Sequence, residues 1–165
     1  MDVSKADRIW LGCFMDSEGS FSILRRPAKG KNKIPSFSPQ ISIVNTDIDL
    51  IRKAKKIYPF FHKKREDFLS PKKGRCWRLR LWTLQECLGY CCFIRNHLTS
   101  KRKKAVCDLM KEWCLIRLEY RKRTRKGLAR EESTYGKELK LRKKIIKLNE
   151  RHKPKKESGS NRRLE

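Results

Sequence analysis

Leu11-Gly12-Cys13-Phe14-Met15-Asp16-Ser17-Glu18-Gly19-Ser20-Phe21 changes its periodicity half-way along. Up to Ser17 it completes a helix predicted over residues 5–17, in which Ile9, Trp10, Leu11, Phe14 and Met15 form a largely apolar segment closed by Gly19. From Ser20 to Arg26 the period becomes two. Phe21 and Ile23 point one way, while Ser20, Ser22, Leu24 and Arg26 point the other. A helix that runs directly into a strand, with Asp16 and Glu18 at the join, is the framework on which the rest of the chain is placed.

Residues 28–38 are rich in Lys, Gly, Pro and Asn and read as a long hairpin loop. Alternation resumes with Ile41 and Ile43 against Gln40 and Ser42. Asn45-Thr46-Asp47 then supplies helix-start chemistry ahead of Ile48, Leu50, Ile51, Ala54 and Ile57 at helical spacing. Residues 60–68 are a weaker strand, and Cys76 to Thr83 a clear one, with Trp77, Leu79 and Leu81 inward and Arg78 and Arg80 outward. Two helices follow. The first, Leu84 to Leu98, carries Leu88, Cys91, Cys92 and Ile94; the second, Lys101 to Tyr120, carries Ala105, Leu109, Met110, Trp113 and Ile116 on its core side. A basic link over 121–130 leads to a last helix, about 136–151, and residues 153–165 read as a disordered basic tail. The order is that of a single α+β domain over residues 1–152, with a core at about 5–120.

The chain has 165 residues and 44 Lys+Arg against 18 Asp+Glu, a formal charge of +26. A surplus of this size calls for a polyanion, and nucleic acid is the first candidate. No apolar run approaches the roughly 18 residues of a membrane span, and the first residues lack the form of a secretory signal, so an intracellular protein (prokaryotic cytoplasm or organelle matrix) is expected. The seven cysteines contain no C-x-x-C pair, and His62, His97 and His152 complete no zinc pattern. They read as small buried hydrophobes, with a structural disulfide as the alternative. Residues 101–165 hold 24 Lys+Arg against 9 Asp+Glu and residues 1–100 hold 20 against 9. The C-terminal part is thus the more basic per residue, yet it lacks strand alternation and is expected to clamp phosphates.

Asp16 and Glu18 are in the wrong place for helix stability, because free carbonyls at a helix C-terminus already carry partial negative charge. Either they are a solvated helix end, or they mark a cation site, since carboxylates with backbone carbonyls are the oxygen-rich set Mg²⁺ prefers.

The wider string, from Leu11 to Gly19 with the Ser20-Phe21 that follows, resembles the LAGLIDADG motif of the homing endonucleases. It departs from the motif in having Gly12-Cys13 for Ala-Gly, Ser17 for Ala or Gly, and Glu18 for the second Asp. The resemblance extends over most of residues 5–120. It includes Pro39-Gln40-Ile41-Ser42-Ile43-Val44-Asn45-Thr46-Asp47 and Leu98-Thr99-Ser100-Lys101-Arg102-Lys103-Lys104-Ala105, which is similar to the family's segment bearing the catalytic-site lysine. The resemblance implies an αββαββα domain with a mixed or antiparallel four-stranded sheet and additional C-terminal helices. One copy of the motif implies a homodimer, with Leu11, Gly12, Cys13 and Met15 at the contact between the two motif helices.

The same resemblance implies a site-specific, Mg²⁺-dependent double-strand DNA endonuclease acting at a long, near-palindromic site, with Mn²⁺ or Ca²⁺ as substitutes for binding. Glu18 would be the metal ligand, helped by the Ser17 carbonyl, with Asp16 acting indirectly. Asn45 would order water near the metal, or would simply cap its helix. Lys101 would be the cation beside the scissile phosphate, with Lys103 as its nearest competitor. DNA contacts would come from Ser22, Leu24 and Arg26; Ser38, Gln40 and Ser42; Lys64 and Glu66; Arg78 and Arg80; the hairpin lysines Lys29, Lys31 and Lys33; and Lys103. An RNA maturase and a non-catalytic basic nucleic-acid binder on the same scaffold are the alternatives.

Overall fold

The computed structural model of the chain describes residues 3–27, 35–66, 76–123 and 132–150. The lysines of the hairpin loop (Lys29, Lys31, Lys33) and the C-terminal tail lie outside these residues. The element order is α1 (Lys5–Glu18), β1 (Gly19–Arg26), β2 (Ser36–Asn45), α2 (Ile48–Ile57), β3 (His62–Glu66), β4 (Cys76–Leu81), α3 (Leu84–Ile94), α4 (Lys101–Arg123) and α5 (Glu132–Asn149). A single 3-10 turn, Arg95–His97, joins α3 to the approach to α4. The αββαββα order is therefore present, followed by two long helices.

The four strands form one antiparallel sheet in the order β1-β2-β4-β3. Register sets its two faces apart. Phe21 pairs with Ile41, Ile43 with Leu79 and Ile41 with Leu81, and these side chains join Leu11, Met15, Ile51, Cys91, Met110 and Trp113 in the hydrophobic core. The partners on the opposite face are polar: Ser20 with Ser42, Ser22 with Gln40, and Ser42 with Arg80. Burial of one side of each strand leaves the other free to be polar, which is the ordinary antiparallel arrangement.

Local sequence explains the boundaries. Ser4 caps α1, its hydroxyl accepting from the Asp7 amide at 3.1 Å. α3 starts with a capping box in which Thr83 and Glu86 satisfy each other's backbone amides. Gly12 is required by close packing: a Cβ there would overlap the His97 carbonyl, so α1 meets the 3-10 turn backbone to backbone. β2 begins at Ser36, earlier than the loop composition suggests. Pro39 sits in the part of β2 that has only β1 beside it, where a missing N–H is tolerated. α5 likewise begins before Gly136, because Tyr135 stacks on Phe37 with ring centroids 5.6 Å apart and anchors the earlier turn.

All seven cysteines are free thiols, so the disulfide reading does not hold. Five are buried as small hydrophobes, with burial pushing the Cys114 thiol up to about 12, whereas Cys13 and Cys92 are exposed. On α3 it is thus Cys87 and Cys91, and not Cys92, that face the core.

α5 covers the β1 edge of the sheet. Arg142 Nε donates to the Ile23 carbonyl at 3.1 Å and Asn149 Nδ2 to the Phe21 carbonyl at 2.8 Å, so side chains take the place of a missing neighbour strand. Glu138 is fully buried between α4 and α5 and pairs with Arg117 at 3.2 Å. Removing one member of such a pair strands the other charge. Glu138→Ala is expected to lower unfolding free energy by roughly 3 kcal/mol in urea denaturation, with Arg117→Met/Glu138→Leu recovering most of the loss. Equal stability of Glu138→Ala and the wild-type chain would contradict this account of α5 docking.

Candidate metal and nucleic-acid site

The two acids of the motif have different fates. Asp16 Oδ2 accepts three hydrogen bonds, from Thr99 N at 2.5 Å, Thr99 Oγ1 at 2.7 Å and Ser100 N at 3.1 Å. These donors immediately precede α4, beside the positive end of its dipole. Burial pushes the Asp16 carboxyl up, but the hydrogen bonds from Thr99 and Ser100 and the charge of Lys103 outweigh it, and the net shift is downward. Asp16 is thus an anchor between α1 and α4. Glu18, two residues on, is exposed and makes no hydrogen bond or ion pair with the described residues.

The basic run at the start of α4 also divides. Lys101 and Arg102 are exposed, and Arg102 Nη1 donates to the Leu148 carbonyl at 3.2 Å. Lys103 is only 9% exposed, and its Nζ donates to the Met15 and Gly19 carbonyls at 2.6 Å each. Expected as a DNA contact, Lys103 is instead turned inward beneath the motif. Its helical phase explains why: it shares a face with the buried Val106, Cys107 and Met110. Lys101, the expected partner of the scissile phosphate, points to solvent.

Asn45 ends β2 beside the α1–β1 join, since Gly19 pairs with Ile43. Its Oδ1 accepts from the Asp47 amide at 2.8 Å, and Asp47 in turn caps α2 through the Asp49 and Leu50 amides. Asn45 is therefore a turn-former and not the helix cap.

α1 also sorts the residues expected at a contact between two copies. Leu11 and Met15 are fully buried and Gly12 packs on His97, all within the same fold. Only Cys13 of that set is exposed. It lies on one helical face with Ala6, Ile9 and Ser17, and Ile9 is 45% exposed. The expectation for Leu11, Gly12 and Met15 is corrected accordingly.

Among the described residues, no three His, Cys, Asp or Glu side chains converge to hold a metal ion. What α1 offers is one unpartnered carboxylate, Glu18, beside the backbone carbonyls of a helix end. In kind this donor set suits a hard cation; in number it is part of a shell.

No protein-family model and no curated protein sequence matches the chain. Solved structures do. The group I intron-encoded homing endonuclease I-CeuI complexed with DNA superposes with a TM-score of 0.71 at 12% identity, over 98% of this chain and 72% of that one. I-CvuI, in complex with the I-CreI target in 2 mM Mg with the DNA not cleaved, gives 0.70 at 12% identity, over 90% and 85%. The I-SmaMI LAGLIDADG homing endonuclease bound to cleaved DNA gives 0.62 at 16% identity, over 82% of this chain and 42% of that one. The chain has the LAGLIDADG homing-endonuclease fold.

Within this fold the strand residues expected at DNA share one side of the sheet. Ser22, Leu24 and Arg26 on β1, Ser38, Gln40 and Ser42 on β2, and Arg78 and Arg80 on β4 alternate with the core residues. Arg26 Nε donates to Ser38 Oγ at 3.2 Å across the hairpin. Lys64 and Glu66 stand opposite Arg78 and Cys76 in the β3–β4 register. Among the described residues, no helix is long and apolar enough to cross a membrane.

Thr99 and Ser100 had no assigned role in the sequence, although Ser before a helical run is a capping signal. The Asp16 contact has a pH signature. A carboxyl whose folded pKa lies below its ordinary value of 3.8 adds stability above that value and loses it as pH falls through the folded pKa. Asp16→Asn is expected to cost about 1 kcal/mol at pH 7, as loss of a helix cap does. It should also flatten the fall in stability below about pH 4. An acid limb as steep as in the wild-type chain, measured by urea denaturation across pH, would contradict this role.

Proposed function

We propose that this chain is a homodimeric, Mg²⁺-dependent, site-specific double-strand DNA endonuclease. The observation that carries the reading is Glu18: an exposed carboxylate without a partner, at the end of α1, where the polar face of the sheet begins. Fold likeness to proteins solved with DNA and with divalent cations supports it.

The dimer follows from counting ligands. At the end of α1 each chain places one exposed carboxylate, Glu18, and a two-fold axis along the Ala6, Ile9, Cys13 and Ser17 face of α1 would bring a second Glu18 alongside the first. Small and apolar residues on that face allow two helices to approach closely. Mg²⁺ held there would neutralise charge on the phosphate and favour deprotonation of an attacking water.

This chain's own residues do the rest. Glu18 and the Ser17 carbonyl would hold the cation, while Asp16 keeps the end of α1 fixed against α4. Asn45 lies at the adjoining strand end with its Oδ1 committed to the Asp47 amide, leaving its amide group as the part able to orient water. Lys101 offers a mobile ammonium to the phosphate as negative charge builds on it. Arg78 and Arg80, with Gln40, present major-groove donors and acceptors from a twisted sheet. Because both subunits carry the same side chains, the target is near-palindromic.

The test is cleavage of plasmid DNA that carries the uninterrupted host locus or a library of near-palindromic sites. Wild type is expected to cut both strands only with Mg²⁺ or Mn²⁺. Glu18→Gln, which removes several kcal/mol of transition-state stabilisation, should cut more than about a hundredfold slower. Metal-independent cutting, or full activity in Glu18→Gln, would sink the reading. For the dimer, a solution mass of 19.7 kDa at working concentration, that of one chain, would count against it.

A further inference from the structure

α1 and α4 each end badly when considered alone. α1 finishes on acids, where its own carbonyls are already negative. α4 starts on Lys101, Arg102, Lys103 and Lys104, where its own N–H groups are already positive. The fold brings the two ends together: Asp16 of α1 accepts from the amides of Thr99 and Ser100 just before α4, and Lys103 of α4 donates to carbonyls at the end of α1.

Lys103 does more than neutralise a dipole. Met15 O and Gly19 O stand at the two ends of the turn that carries Asp16, Ser17 and Glu18, and the Gly19 amide itself bonds back to Met15 O. One ammonium therefore clasps both ends of the turn. Gly19 has no room for a side chain, since a Cβ would overlap Met15, so the turn is also fixed sterically. To reach a phosphate, Lys103 would have to abandon two carbonyls in a buried setting, and unsatisfied buried acceptors are costly.

We propose that Lys103 is a positioning residue for Glu18: it sets where the carboxylate and the Ser17 carbonyl stand, from beneath the motif and without touching DNA. The role of Glu18 in this statement rests on the nuclease reading above; the clasp itself rests on the geometry alone.

Lys103→Met and Lys101→Met are compared with the wild-type chain in two measurements. DNA affinity is followed against salt in EDTA, and metal binding by terbium(III) luminescence titration. Lys103→Met should keep wild-type DNA affinity and salt slope while its terbium midpoint rises by at least about tenfold, as for loss of a group that orients a metal ligand. Lys101→Met should lower the salt slope by about 0.9 per chain, as for loss of one phosphate contact, with the terbium midpoint unchanged. A reduced slope with an unchanged terbium midpoint in Lys103→Met would overturn the proposal and make Lys103 a phosphate contact.

If Lys103→Met does not fold, Lys103→Arg serves. It keeps the charge, but a planar guanidinium is larger than the single ammonium that both carbonyls now approach, so it cannot take that place without shifting them. The same rise in midpoint is expected, and wild-type terbium binding overturns the proposal. A wild-type chain that binds neither terbium nor DNA defeats the nuclease reading instead. Amide exchange at Gly19 and Ser20 then reads the clasp directly: lost protection in the variant supports it, unchanged protection overturns it.

Discussion

The crossing of the C-terminal end of α1 with the N-terminal start of α4 is the contact from which the functional surface follows. β1 begins at Gly19 with no linker, so whatever fixes the end of α1 also fixes the first strand of the sheet. Register then carries that position across β2 and β4 to Arg78 and Arg80. Glu18 and the polar face of the sheet are thereby parts of one rigid geometry. The proposed action of Glu18 on a phosphate would need such a fixed relation, because small displacements are expensive in catalysis.

The charge of the chain takes on a different meaning in this light. The +26 surplus suits a polyanion in general. The informative charges are those the fold has withdrawn from solvent: Lys103 beneath the motif, Arg117 with Glu138 between α4 and α5, and Asp16 on the amides of Thr99 and Ser100. Each is buried or half-buried with partners, as charge in a low-dielectric setting must be. Glu18 stands apart as the acid of the motif that the fold leaves unengaged.

The helix-to-strand change at Gly19, the alternation of Phe21 and Ile23, and the run of Trp77, Leu79 and Leu81 were all readable in the sequence, because burial of one face imposes a period. The partners of Asp16 were not, since they lie 83 and 84 residues away and no local pattern links them. Lys103 is hidden for a related reason: in a run of four basic residues composition suggests a solvated patch, and only the phase shared with Val106, Cys107 and Met110 marks it as inward. The same phase separates Cys13 from Leu11 and Met15, which a motif read as one block cannot do. α5 showed its amphipathic pattern, but that Arg142 and Asn149 would complete the edge of β1 depends on tertiary placement.

The most direct measurement of the central claim is a crystal structure of the chain with a bound DNA target and Ca²⁺. The account predicts two chains related by a two-fold axis along α1, with a cation bound by Glu18 carboxylate oxygen from each chain beneath the DNA and Asp16 still on Thr99 and Ser100. DNA seated on the polar face with no cation at Glu18, or a cation held by Asp16 after release of the α4 amides, would contradict it.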